Sequence, residues 1–348
     1  MTHQSSQLQL VTLGTAAGRI WPDPGRSGTS TVLCVGEHHY VVDVGYGWGQ
    51  RYHQYGLGTG FGLTPLRNLR AVFLTHLHSD HTIGLAELLT YGLEPREEPI
   101  LVMGPGSRGT PPPTHGSVAG HNVPLVHPER PLPGTVDMVR MLQAAFAADL
   151  NDNVRDSGKP HPDSVLRASD VRLPASVIAA VGDPDVNPAP IIEPFAVHED
   201  DDVRVSATLV DHRPVFPALA FRFDTAAGSV TFSGDTCVSE NLVRLARDTD
   251  VLVHEANDVD FIEQFLPEPR TPAQQAKLDH LRAAHTSPIE AGQVAQAAGA
   301  GTLVLTHLGR CDPAAPPWDM AATTFAGRVV VAEEGMRLSV GNREEIHQ

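Results

Sequence analysis

Short apolar runs bounded by glycine, proline and polar turns recur along the whole chain. Residues 8–13, 31–35, 40–44 and 71–74 form such runs in the first part. They are too short for helices and rich in β-branched residues, so they predict strands. The segment 14–28, rich in Gly and Pro, predicts a loop. Residues 45–62 carry Tyr46, Trp48, Tyr52, Tyr55 and Phe61 among glycines. This stretch reads as a packed surface loop or as a wall of a pocket.

Strand patterns resume at 203–210, 218–223, 229–233, 251–253 and 303–306, with helical stretches near 240–247 and 288–298. The second helix has a full start signal: Ser287 as N-cap, Pro288 in the first turn and Glu290 three residues after the cap. Between the two sets of strands the pattern changes. Residues 104–134 are dense in Pro and Gly and predict irregular chain. Val136, Val139, Leu142, Phe146, Leu150 and Val154 then recur at three- and four-residue steps, predicting one amphipathic helix. The stretch to 190 is again polar and Pro-punctuated. Residues 105–190 are therefore expected to be an insertion, irregular arms around one helix, acting as a cover for the core or as a lid. With no composition break elsewhere, 1–348 is expected to be a single α/β domain of two similar halves.

The run at 71–74 leads into Thr75-His76-Leu77-His78-Ser79-Asp80-His81. On an extended backbone His76 and His78 fall on one side, converging on one ion. Asp80 and His81, just beyond, are placed to hold a second. A chance H-x-H-x-[DE]-H is expected about 0.006 times in a chain of this composition, so the spacing marks a metal site. The later strands also end in such residues: Asp211-His212, Ser233-Gly-Asp235, His254-Glu255 and Thr306-His307. In open α/β sheets functional groups gather at the carboxyl ends of strands, so these ends are expected to converge.

Bulk composition narrows the partners. The hydrophobic fraction of 41% is that of a soluble globular protein, and the net charge of −16 opposes binding to polyanions. On charge, nucleic acid is not the expected partner. The run 199–202, Glu-Asp-Asp-Asp, is expected to be a solvated turn. No stretch has the apolar length to span a bilayer, and the start lacks a secretion signal. Cys34, Cys237 and Cys311 are far apart and suggest no disulfide framework; Cys237 reads as packing and His254 as a buried structural histidine. A cytoplasmic location is expected.

Taken together, Thr75–His81, Asp211-His212, Phe232-Ser-Gly-Asp-Thr236, Val253-His-Glu-Ala256, Ala284-His-Thr-Ser287 and Leu305-Thr-His-Leu308 resemble the metallo-β-lactamase superfamily, in its ribonuclease Z and arylsulfatase-like branch. The resemblance implies an αβ/βα sandwich with two metals at one edge, here carrying the inserted irregular-plus-helical lid segment. It implies His76, His78 and His212 on the first ion, Asp80, His81 and His307 on the second, and Asp235 bridging. Two Zn²⁺ suit this set; Mn²⁺ and Fe²⁺ are compatible. It further implies a metal-bound hydroxide as nucleophile, which Asp80 orients, with His285 as general acid and Glu255 orienting it. The stretch between His212 and Asp235 is too short for the flexible arm by which ribonuclease Z proteins grip tRNA. The expected substrate is therefore a small phosphate- or sulfate-type ester. Lactone or β-lactam hydrolysis, tRNA 3′ cleavage and a non-catalytic metal-binding sensor are the alternatives, and a homodimer is left open.

Overall fold

The computed structural model describes residues 7–18, 25–58, 65–309 and 317–341; Phe61 and Cys311 lie outside them. The first half supplies strands β1 (Leu8–Gly14), β2 (Ser30–Val35), β3 (His38–Val42), β4 (Leu69–Phe73), β5 (Ile100–Pro105) and β6 (Leu166–Val171). The second half supplies β7 (Phe195–Glu199), β8 (Arg204–Leu209), β9 (Leu219–Thr225), β10 (Gly228–Phe232), β11 (Val251–Ala256), β12 (Thr302–Leu308), β13 (Arg328–Val331) and β14 (Arg337–Val340). They form two seven-stranded sheets, ordered β14-β1-β2-β3-β4-β5-β6 and β13-β12-β11-β10-β9-β8-β7. β14 thus crosses back to pair with β1 in the first sheet.

Side-chain alternation builds the layers. In β4, Ala71 and Phe73 join the core between the sheets, whereas Val72 joins the outer cluster. Phe73 meets Phe221 and Phe223 edge-on, with ring centroids 5.5 and 5.0 Å away. Outside the first sheet pack residues of helices Trp48–Gln54, Leu85–Tyr91 and Thr135–Ala145. Outside the second pack Glu240–Leu245 and Pro288–Ala298. The architecture is the αβ/βα sandwich. The capping box at Ser287 and Glu290 forms. A further helix, Pro272–Ala284, has its own box at Thr271 and Gln274 and was not foreseen.

The single helix expected over 136–154 is two, Thr135–Ala145 and Ala147–Arg155, broken at Phe146. The first packs on the sheet. The second turns Leu150 towards Leu93 and Val165 in a separate small cluster. The bend leaves Phe146 38% exposed, off the stripe to which periodicity assigned it. We expect Leu150→Ala to cost about 2–5 kcal/mol, and Phe146→Ala under about 1 kcal/mol, in urea unfolding. Equal losses would contradict this packing. The same segment also contributes β6, paired parallel to β5, so it is not irregular-plus-helical throughout.

The acidic run 199–202 is a solvated turn between β7 and β8, as expected, with Glu199, Asp200 and Asp201 exposed. Asp200 accepts the Asp202 and Val203 amides at 3.0 Å and the Tyr40 hydroxyl at 2.9 Å. Among the described residues no helix is long and apolar enough to cross a membrane.

Candidate metal centre

The strand ends do converge. Just past β4, His76 and His78 meet His212, which follows β8: His76 Nε2 lies 3.0 Å from His78 Nδ1, and His212 Nε2 lies 3.4 Å from the same atom. A second group forms beside it. His81 Nε2 is 3.2 Å from His307 Nε2, which is 3.3 Å from Asp80 Oδ2. Asp235, beyond β10, stands between the groups. Its Oδ2 is 3.8 Å from His76, 3.7 Å from His212 and 3.4 Å from His307, and its Oδ1 is 3.4 Å from His81. All seven residues predicted from sequence as metal donors are therefore brought together.

These side chains are arranged for a cation. Burial holds His76 well below the usual imidazole range and takes His212 down to about 3, so their lone pairs stay free near neutral pH. Burial opposes charge on Asp235 too, but His307, His81 and His76 outweigh it and hold the carboxyl well below its usual range. Asp235 Oδ1 and His307 Nδ1 are buried without a hydrogen-bond partner. Buried polar atoms left so are costly. A divalent ion at each group would satisfy crowded imidazole and carboxylate donors of this kind, so the residues present fit two metals.

Supporting contacts fix the rings. His212 Nδ1 donates to the Ala284 carbonyl at 2.9 Å, turning Nε2 to the cluster. Asp43, which sequence reasoning missed, takes the Thr75 amide, the Thr75 hydroxyl and His81 Nδ1, each at 2.8 Å. Its signal was present, since the strand-like stretch at 40–44 contains an acid near its end as the later ones do. Burial opposes protonation of His81, but Asp235 and Asp43 more than offset it.

Beyond the donors lies the His285–Glu255 pair. His285 Nδ1 is 3.0 and 2.9 Å from the two Glu255 oxygens and 4.0 Å from Asp235 Oδ2. Burial works against the charge on His285, and Glu255 outweighs it by attraction and hydrogen bonding, holding the imidazole up at about 9. His254 is fully buried, its Nδ1 donating to the Glu255 carbonyl at 2.7 Å. The Cys237 thiol is pushed up to about 11, first by burial and then by Asp211, which leaves it a poor nucleophile.

At Trp48 and Tyr52 the packed reading of 45–62 holds and the pocket-wall reading does not. Trp48 and Tyr52 are each 1% exposed and belong to the core outside the first sheet. Their polar tips are used there, on the Gly84 carbonyl at 2.8 Å and on His39 at 2.6 Å. The irregular arms of the 105–190 segment take that place: Pro105, Arg108, Pro112 and 131–133 border a 330 Å³ cleft that opens on His78.

Comparison with known proteins agrees with this architecture. Residues 23–93 match the metallo-beta-lactamase superfamily, and 154–308 match the beta-lactamase superfamily domain. Ribonuclease Z of Mycobacterium bovis is 31% identical over 97% of this chain and 99% of its own. Ribonuclease Z of Mycobacterium tuberculosis is 30% identical, with the same coverage. The short form of human tRNase Z superposes with a TM-score of 0.59 at 20% identity, over 95% of this chain and 99% of that one. The metallo-beta-lactamase fold protein YhfI from Bacillus subtilis gives 0.56 at 16% identity, over 96% and 99%.

Proposed function

The chain belongs to the metallo-β-lactamase superfamily of hydrolases, and from that premise we propose that it is a two-metal phosphodiesterase. His76, His78 and His212 would hold one ion, Asp80, His81 and His307 the other, with Asp235 shared. Zinc suits these donors, and manganese or iron is compatible with them. Bound there, the ions supply Lewis acidity and a water acidic enough to attack near neutral pH.

The protein's own groups act around that chemistry. Asp80, whose Oδ2 accepts the Gly18 amide at 2.8 Å, is held to orient the attacking water. Glu255 fixes His285 through Nδ1, leaving the opposite ring nitrogen to give a proton to the departing oxygen. The observation that carries the reading is this His285–Glu255 pair beside two donor groups. An acid there is superfluous for a stable phenolate leaving group and matters for an alkoxide, as in a natural phosphodiester.

A small phosphodiester accords with the net charge of −16 and the short connection from His212 to Asp235. The full-length likeness to proteins named ribonuclease Z favours a second reading, cleavage at an RNA 3′ end, and counts against ruling nucleic acid out. Elemental analysis should give close to two metal ions per chain, zinc foremost. The zinc-loaded protein should then turn over bis(4-nitrophenyl) phosphate ahead of 4-nitrophenyl sulfate, an acyl-homoserine lactone, a β-lactam and pre-tRNA. Accurate cleavage of pre-tRNA at low enzyme with the small ester untouched would establish the RNA reading. Selective opening of the lactone or β-lactam would overturn both.

A further inference from the structure

The 330 Å³ cleft beside His78 is bordered by Leu77, Leu132, Met138, Phe216 and several prolines. Apart from His78, the one polar side chain on this border is Arg108, and it is engaged by its neighbours. Arg108 gives Nε to the Thr110 carbonyl at 2.9 Å, one terminal nitrogen to the Pro214 carbonyl at 3.2 Å and the other to Asp185 at 2.5 Å. The Pro105 carbonyl accepts the Thr135 hydroxyl at 3.0 Å, and the Leu132 carbonyl accepts the Ser107 hydroxyl at 2.6 Å. These contacts brace the walls, and every other side chain on the border except His78 is apolar. A nucleobase placed here would meet few polar side chains to replace its hydrogen bonds to water, whereas an apolar ring would only be desolvated.

The cleft also has a definite relation to the acid. His285 borders a different cleft, of 660 Å³, together with Asn257, Arg282 and Met320. In a displacement at phosphorus the leaving oxygen departs towards the acid, so the group that stays on phosphorus points elsewhere. We infer that the cleft beside His78 is a specificity subsite for that retained group, and that it takes an uncharged aromatic substituent. This rests on the phosphodiesterase reading for its orientation, but not for its chemistry.

The test begins with binding to the zinc-loaded full chain. Phenylphosphonate and methylphosphonate differ only in the apolar group and cannot be hydrolysed. Calorimetry should find the phenyl compound at least about tenfold tighter. Leu132→Trp, which fills the cleft, should erase that difference and leave methylphosphonate binding and the melting temperature unchanged. Met138→Ala, which removes wall area, should weaken the phenyl compound alone. Equal affinities in the parent, or a difference that survives Leu132→Trp, would overturn the subsite.

Turnover separates this inference from the reading beneath it. 4-Nitrophenyl phenylphosphonate and thymidine 5′-(4-nitrophenyl phosphate) share a leaving group and differ in what is retained. The phenylphosphonate should have the higher kcat/KM by about tenfold or more. The opposite preference would overturn the subsite while upholding phosphodiester-type hydrolysis. Tight phenylphosphonate binding with neither ester cleaved would uphold the subsite and sink the phosphodiesterase reading.

Discussion

His285→Ala should keep two metal ions and lose about 10²–10⁴-fold in turnover of an ester with an alkoxide leaving group. The same variant should lose far less on a 4-nitrophenyl ester, whose anion departs without a proton. The contrast follows from geometry: both Glu255 oxygens hold His285 Nδ1, at 3.0 and 2.9 Å, closer than Asp235 at 4.0 Å, although His285 also stands near His212 and Asp235. Paired kcat measurements with metal analysis of the same sample decide it. Equal losses on both leaving groups, or loss of metal, would mean that His285 is a ligand or a prop. Because an acid works only while protonated, activity on the alkoxide ester should fall as pH rises through the His285 pKa. Glu255 holds that pKa up, at about 9, against the effect of burial. Glu255→Gln should therefore move the alkaline limb to lower pH while leaving metal content intact.

Asp235→Ala should abolish hydrolysis and also destabilise the fold. Its carboxylate sits between both donor groups and faces His81, whose charge Asp235 and Asp43 sustain against burial. Asp43 remains on His81 at 2.8 Å, so losing the second carboxylate should cost about 1–3 kcal/mol rather than strand a buried charge. Zinc should raise the melting temperature of the parent far more than that of the variant. Asp80→Ala should also abolish turnover, but at smaller cost to the metal-free fold, since Asp80 lies at the rim. A fully active Asp235→Ala protein holding two ions would refute the shared-ligand assignment.

Much of this was legible in the sequence for physical reasons. The His76–His81 cluster is local, so spacing alone reveals it. His212, Asp235 and His307 are distant in sequence but share the property of lying at the ends of apolar strands, which sheet geometry gathers. Trp48 and Tyr52 left two readings open because aromatic residues among glycines do not disclose which side of a sheet they will cover. The helix broken at Phe146 misled because three- and four-residue spacing continues across a bend that backbone periodicity cannot register. Asp43 escaped because its role exists only once β3 lies beside β4, bringing a carboxylate to His81.

The return of β14 to pair with β1 bears on when the site can come into being. The first sheet stays short of an edge strand until residues from the far side of the second sheet have been made. Histidines 81 and 307 meet across a sequence separation of 226 residues. At about 5–20 residues per second, the first cluster emerges from the ribosome roughly 10–50 s before the last donor exists. His212 and Asp235 are added within that interval, so the donors of the first group are all made before His307 completes the second. The two donor groups are therefore completed at different times, the second only once His307 has been made.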